Sequence, residues 1–264
     1  MTALAAPAGA RARQIPSADQ YGDIVNRIGE LSSVHHMVGG TGVTEWMQLF
    51  SPFHLAGGWD GPIEYVRLRP GVSCGHHLHD RREEIYYIIE GSAWMHVNGE
   101  ELAVTAGDLI TCPIGTYHSI GVDESAWDPM AFLVVEMSPG PGSGPVGVPE
   151  HFALNERETD ALGYWGHEGD DLVVATVDLS RHLTGAWGTF TQVEVPPQTT
   201  IGSHRPRPRT AQLLLTTSGQ AEVLLGDEWH KWGPGLAIGA VSPVTVRNSS
   251  ENEPLRFVTL AVRY

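Results

Sequence analysis

Gly71-Val72-Ser73-Cys74-Gly75-His76-His77-Leu78-His79-Asp80-Arg81-Arg82-Glu83-Glu84-Ile85-Tyr86-Tyr87-Ile88-Ile89-Glu90-Gly91 is the most informative segment of the chain. Alternate side chains of a β-strand share a face, so His77 and His79 point the same way. Glu84 opens an apolar run after a polar turn, where an antiparallel neighbour can bring its carboxylate beside the two imidazoles. Downstream, in Gly107-Asp108-Leu109-Ile110-Thr111-Cys112-Pro113-Ile114-Gly115-Thr116-Tyr117-His118, a Pro/Gly turn can aim His118 into the same cavity. Imidazole and carboxylate suit Fe(II), Mn, Ni, Cu or Zn, and four such ligands in an octahedral site leave two positions for water, dioxygen or substrate.

Around this segment the pattern is one of strands. From Trp46 to Tyr264 short apolar runs such as Tyr65-Val66-Arg67-Leu68, Ile85-Tyr86-Tyr87-Ile88-Ile89 and Met130-Ala131-Phe132-Leu133-Val134-Val135 alternate with Gly and Pro, which predicts a β-sandwich or barrel. Ser138-Pro139-Gly140-Pro141-Gly142-Ser143-Gly144-Pro145 has no apolar content to bury and marks a domain boundary. Turn glycines Gly91 and Gly107 recur at a constant offset as Gly219 and Gly235, the trace of an internal duplication. Near the N-terminus, Ser17-Ala18-Asp19-Gln20 reads as a capping box, and Tyr21, Ile24, Val25, Ile28 and Leu31 recur at helical spacing, predicting a helix.

The two ligand-bearing segments resemble the motifs of the cupin superfamily. Its first motif, Gly-(x)5-His-x-His-(x)3,4-Glu-(x)6-Gly, is met by Gly71, His77, His79, Glu84 and Gly91. Its second, Gly-(x)5-Pro-x-Gly-(x)2-His-(x)3-Asn, is met by Gly107, Pro113, Gly115 and His118, with Val122 in place of the final, non-ligating Asn. The resemblance implies an all-β fold of two tandem jelly-roll (double-stranded β-helix) barrels behind the N-terminal helix. Its domains would be a lead segment at 1–33, a metal-binding barrel at 34–137, a linker at 138–149 and a second barrel at 150–264. It also implies His77, His79, Glu84 and His118 as ligands of one divalent transition metal, Fe(II) first, with Mn, Ni, Cu or Zn as alternatives. The second barrel resembles a decayed copy. His204 holds the first ligand position, Pro206 the second, Gln212 the carboxylate's and Val246 that of His118. One imidazole and an amide do not hold a divalent cation in the usual way, so this barrel is expected to carry no metal and to serve in packing, dimer contact or closure of the first site. A pocket using His204, Arg205, Arg207 and Gln212 is the alternative.

Strand parity counted from Glu84 puts Tyr86 and Ile88 on its inward face and, across the hairpin, predicts Trp94 and His96 facing the same cavity. Trp94 would line the substrate pocket, and Tyr86 or His96 would act catalytically, the plainer reading being that all three are core or surface residues. Arg67 and Arg69 are nearby cations able to grip a substrate carboxylate or phosphate, or else solvated strand residues. Cys74 and Cys112 flank the ligand segments and read as small buried residues. His35-His36, before a glycine run without the Lys-Ser/Thr ending of a phosphate loop, suggests a lid or subunit contact.

With 16 Lys+Arg against 31 Asp+Glu, the net charge of −15 disfavours nucleic acid and anionic membrane surfaces as partners. No stretch reaches the ~18 apolar residues of a membrane span, and Met1 to Gln20 lacks the continuous apolar core of a secretory signal. Two cysteines fit a reducing cytosol, hence a cytoplasmic protein. The expectation is a metal-dependent bicupin enzyme, an Fe(II)-dependent oxygenase using O2 on a small polar organic substrate. A non-redox isomerase, lyase or hydrolase and a non-catalytic binding module are the alternatives. A homodimer is expected from the resemblance alone.

Overall fold

The computed structural model describes residues 24–51, 59–140, 147–156, 172–204, 209–225, 227–240 and 243–263. Its described residues form strands and short 3-10 turns, with no α-helix. No helix there is long and apolar enough to cross a membrane.

The first barrel faces a seven-stranded sheet against a four-stranded one. The larger sheet runs in the order Glu150–Ala153, Asp108–Cys112, Glu83–Glu90, Met130–Met137, Ile63–Leu68, Val43–Phe50 and Ser32–His35, and the smaller in the order Ser73–Leu78, Tyr117–Gly121, Ser92–Val97 and Glu100–Thr105. The second barrel repeats the plan. Its six-stranded sheet is Ile24–Arg27, Leu236–Ala240, Thr210–Ser218, Leu255–Arg263, Trp187–Val195 and Val173–Asp178, and its four-stranded sheet is Thr200–His204, Val244–Asn248, Ala221–Leu225 and Glu228–Trp232. These are the two tandem jelly rolls expected from the motifs.

Period-two alternation decides where each strand's side chains go. In Met130–Met137, Phe132 and Val134 fill the first barrel with Val66, Tyr86 and Ile88. The intervening Leu133, Val135 and Met137 join Phe190, Leu213 and Val258 of the second barrel in one shared cluster. The large sheets therefore pack face to face, which is why their strands read as continuous apolar runs and not as alternating ones. Truncating a fully buried aromatic there, such as Phe190, would cost about 3–5 kcal/mol.

The duplication is visible in backbone geometry. Gly91 and Gly219 have φ of 78° and 82°, and Gly107 and Gly235 have φ of 94° and 75°. Only glycine adopts that region without strain. A Cβ on Gly91 would meet Pro129 O at 2.5 Å, and one on Gly219 would meet Pro254 O at 2.6 Å, so both barrels demand glycine at the same turn for the same steric reason.

The N-terminal helix is a correction. Ile24–Arg27 is a strand, paired antiparallel with Leu236–Ala240 of the second barrel, and Ser32–His35 is another on the first. The open edge of the six-stranded sheet offers these residues backbone partners, continued by Ile28 N–H donating to Gly235 O at 2.7 Å, and this overrides a short helical spacing that contains β-branched residues. The capping box Ser17–Gln20 lies outside the described residues, as do 141–146 of the linker. Beyond the linker, Glu150–Ala153 returns to the first barrel, pairing with Asp108–Cys112 before the chain enters the second.

Candidate metal centre

His77 and His118 sit directly opposite each other on paired strands of the small sheet, and Glu84 lies on the facing large sheet beside Cys112. His79 follows the end of its strand, where its carbonyl accepts the Gly115 N–H at 2.9 Å and ties the Pro113–Thr116 turn to it. The ligand atoms of His77, His79, Glu84 and His118 all lie within 4.8 Å of one another. His79 Nε2 is 3.0 Å from Glu84 Oε1, and His118 Nε2 is 3.0 Å from Glu84 Oε2. The Nδ1 atoms of His77 and His118 lie 2.8 and 3.0 Å from the carbonyls of Gly75 and Thr116. A carbonyl only accepts, so each Nδ1 carries the proton and each Nε2 keeps its lone pair for a cation. The donor set fits a divalent transition metal.

Electrostatics agree. Burial would raise the Glu84 carboxyl, but its contacts with the His118 and His79 rings overcome it and draw it down to about 2. The bond to Glu84 raises His79, whereas burial lowers His77. The anion is thus held ionised among imidazoles.

The same inward face carries three further groups. Tyr86, fully buried, places its hydroxyl 3.0 Å from His118 Nε2 and 3.4 Å from Glu84 Oε2. Glu136 is the cross-strand neighbour of Glu84, and burial together with the charge of Glu84 pushes its carboxyl up to about 7. Glu64, one strand further along, is also raised, first by burial, and bonds to Trp46. Glu136 and Glu64 escaped the sequence reading, although each is an acidic residue in phase with core residues of its strand, Glu136 with Phe132 and Val134, Glu64 with Val66 and Leu68.

Residues 64–136 match the cupin domain family. A putative glyoxylate-induced protein from Pseudomonas aeruginosa superposes over 100% of this chain and 93% of its own with a TM-score of 0.71 at 14% identity, so the likeness extends to both barrels. Residues 64–136 are a cupin domain. The chain is 42% identical over 55 residues to an oxalate-binding protein of Thermotoga maritima, covering 21% of this chain and 46% of that one. It is 50% identical over 54 residues to an acireductone dioxygenase of Danio rerio, covering 19% and 29%. The chain thus spans less than half the length of these curated relatives.

Other expected site residues lie elsewhere in the two barrels. Trp94 and His96 are corrections, for they point out of the small sheet while Met95 and Val97 fill the core. Trp94 lies over Gly121, and His96 Nε2 is 3.4 Å from Glu101. Parity counted from Glu84 fails because the chain changes sheets at Gly91, where φ is 78°. Arg67 and Arg69 turn to Glu45, at 3.4 and 2.6 Å, on the face opposite Val66 and Leu68, so they do not reach the centre. Cys74 and Cys112 are free, buried thiols, and burial pushes Cys74 up to about 12. His36 Nδ1 meets Gly40 O at 3.0 Å in a strap that crosses the Ser73–Leu78 strand. In the second barrel Val246, at the place of His118, is core, Gln212 is buried, and Arg205, Pro206, Arg207 and the His204 side chain lie outside the described residues.

Proposed function

We propose that the first barrel is the catalytic unit of a metal-dependent enzyme acting on a small polar organic molecule, with His77, His79, Glu84 and His118 as ligands and Fe(II)-dependent oxygenation as the reaction. The observation that carries this reading is the convergence of three imidazoles and one carboxylate within 4.8 Å. A divalent metal bound there would supply Lewis acidity and, as Fe(II), electron transfer to O2. The dioxygenase named among the relatives supports the redox reading. Tyr86, with its hydroxyl beside His118, is placed to orient a substrate oxygen, and Glu136 to hold or release a proton at its carboxylate. The second barrel would serve as a support.

Glu136 favours a second reading. A carboxyl near 7 suits general acid–base work, so isomerisation, elimination or hydrolysis needs nothing beyond the polarising metal. Metal-free protein loaded with Fe(II), Mn(II), Ni(II) or Zn(II) and screened against small hydroxy, keto and amino acids separates the two. Oxygen consumption coupled to substrate loss supports oxygenation. Equal turnover under strict anaerobiosis supports the second reading and overturns the first.

A further inference from the structure

Glu83 and Glu84 are consecutive residues of one strand, so their side chains leave opposite faces of the large sheet. Glu84 enters the first barrel. Glu83, 1% exposed, enters the second. Its carboxylate accepts the Thr184 N–H at 2.8 and 3.1 Å, the Thr184 hydroxyl at 2.7 Å, the Gly185 N–H at 2.8 Å and the Trp187 indole N–H at 2.8 Å. Every one of these donors belongs to a single short segment of the second barrel. Gly185 is required by the approach, since a Cβ there would sit 3.2 Å from Glu83 Oε2 and 2.5 Å from Ser138 O.

A buried carboxylate needs such donors, and bonds to an ionised acceptor are among the stronger kind. Their position matters more than their number. Glu83 and Glu84 begin their strand, opposite Met137 and Glu136, where a ladder is free to fray, and the loop Asp80–Arg82 precedes them. Clamping the Glu83 carboxylate therefore fixes the backbone from which Glu84 reaches His79 and His118.

We propose that Glu83 is a positioning residue for the metal centre, through which the second barrel sets the metal affinity of the first without contributing a ligand. The proposal rests on the ligand role of Glu84 given above. Mn(II) serves as the probe, titrated into metal-free full-length protein and followed by electron paramagnetic resonance. Trp187→Phe removes one donor and leaves a small cavity, and Thr184→Ala removes another. Glu83→Gln faces the N–H donors with an amide. Phe190→Leu, an inter-barrel contact with Tyr87 away from the clamp, controls for general loosening.

The clamp variants are expected to weaken Mn(II) binding by roughly 10–100-fold, the range typical of lost outer-shell partners, and to broaden the bound-Mn(II) spectrum. Phe190→Leu is expected to lower only the melting temperature of the metal-free protein. If Trp187→Phe and Thr184→Ala melt lower yet keep the wild-type Mn(II) affinity and spectrum, Glu83 merely fastens the barrels and the proposal falls alone. Failure of the wild-type protein to bind Mn(II) at one per chain would overturn the metal-centre reading with it.

Discussion

His118 Nε2 and Glu84 Oε2 lie 3.0 Å apart with both side chains almost fully excluded from solvent, and the other Glu84 oxygen is shared with His79. Glu84 is the sole carboxylate in the cluster and touches two of its imidazoles. Replacing it by Ala leaves three neutral donors and removes the anion that offsets the cation's charge. Glu84→Ala is expected to lose metal affinity by more than the roughly 10–100-fold that an outer-shell partner commands. Elemental analysis after dialysis against a weak chelator checks this, and stoichiometric metal in the variant would mean the ligand set is wrong.

Glu136 makes the stability of the metal-free protein depend on pH. Its folded carboxyl sits near 7 because burial and the neighbouring Glu84 charge disfavour its ionisation, against an ordinary value of 4.5. The native state therefore holds a proton that the unfolded chain releases, and this contribution to stability is complete below 4.5 and disappears as pH rises through about 7. Glu136→Gln mimics the protonated form at every pH. At pH 8 it is expected to melt higher than the wild type by roughly 2–4 °C, on the order of 1 kcal/mol once solvent screening of a part-exposed group is allowed for. Well below 4.5, where the carboxyl is protonated in both the folded and the unfolded chain, the two should coincide. A difference independent of pH would show that the Glu136 charge is not the cause.

What was legible in the sequence follows from which signals are local. His77, His79 and Glu84 stand at fixed spacing within eight residues, where a short turn carries the chain from the small sheet to the facing large one, so their spacing can be read locally. Glu136 was hidden because Met130–Met137 is buried on both faces, and a run apolar on both sides shows no parity to be broken. Trp94 and His96 were placed inward because a hairpin in one sheet keeps parity, whereas the turn at Gly91 carries the chain to the other sheet. The strand Ile24–Arg27 depends on an edge more than 200 residues away, which no local periodicity reports.

Gly75 ties the N-terminal strap to the ligand strand. A Cβ there would fall 2.4 Å from Val38 O and 2.6 Å from Gly40 N, all of it backbone that cannot rotate aside. The carbonyl of the same residue holds the His77 ring through Nδ1 at 2.8 Å. Gly75→Ala must therefore separate strap and strand, and the expected cost is the ~1–3 kcal/mol of overpacking, accompanied by weaker metal retention as His77 loses its aim. Gly29→Ala is the matched control, since a Cβ there meets only Arg27 O at 4.0 Å, and its melting temperature and metal content should stay at wild-type values. Thermal melts and metal analysis of the pair decide the matter. A Gly75→Ala protein indistinguishable from the Gly29→Ala protein in both would show that strap and strand yield freely and that the His77 orientation does not depend on their contact.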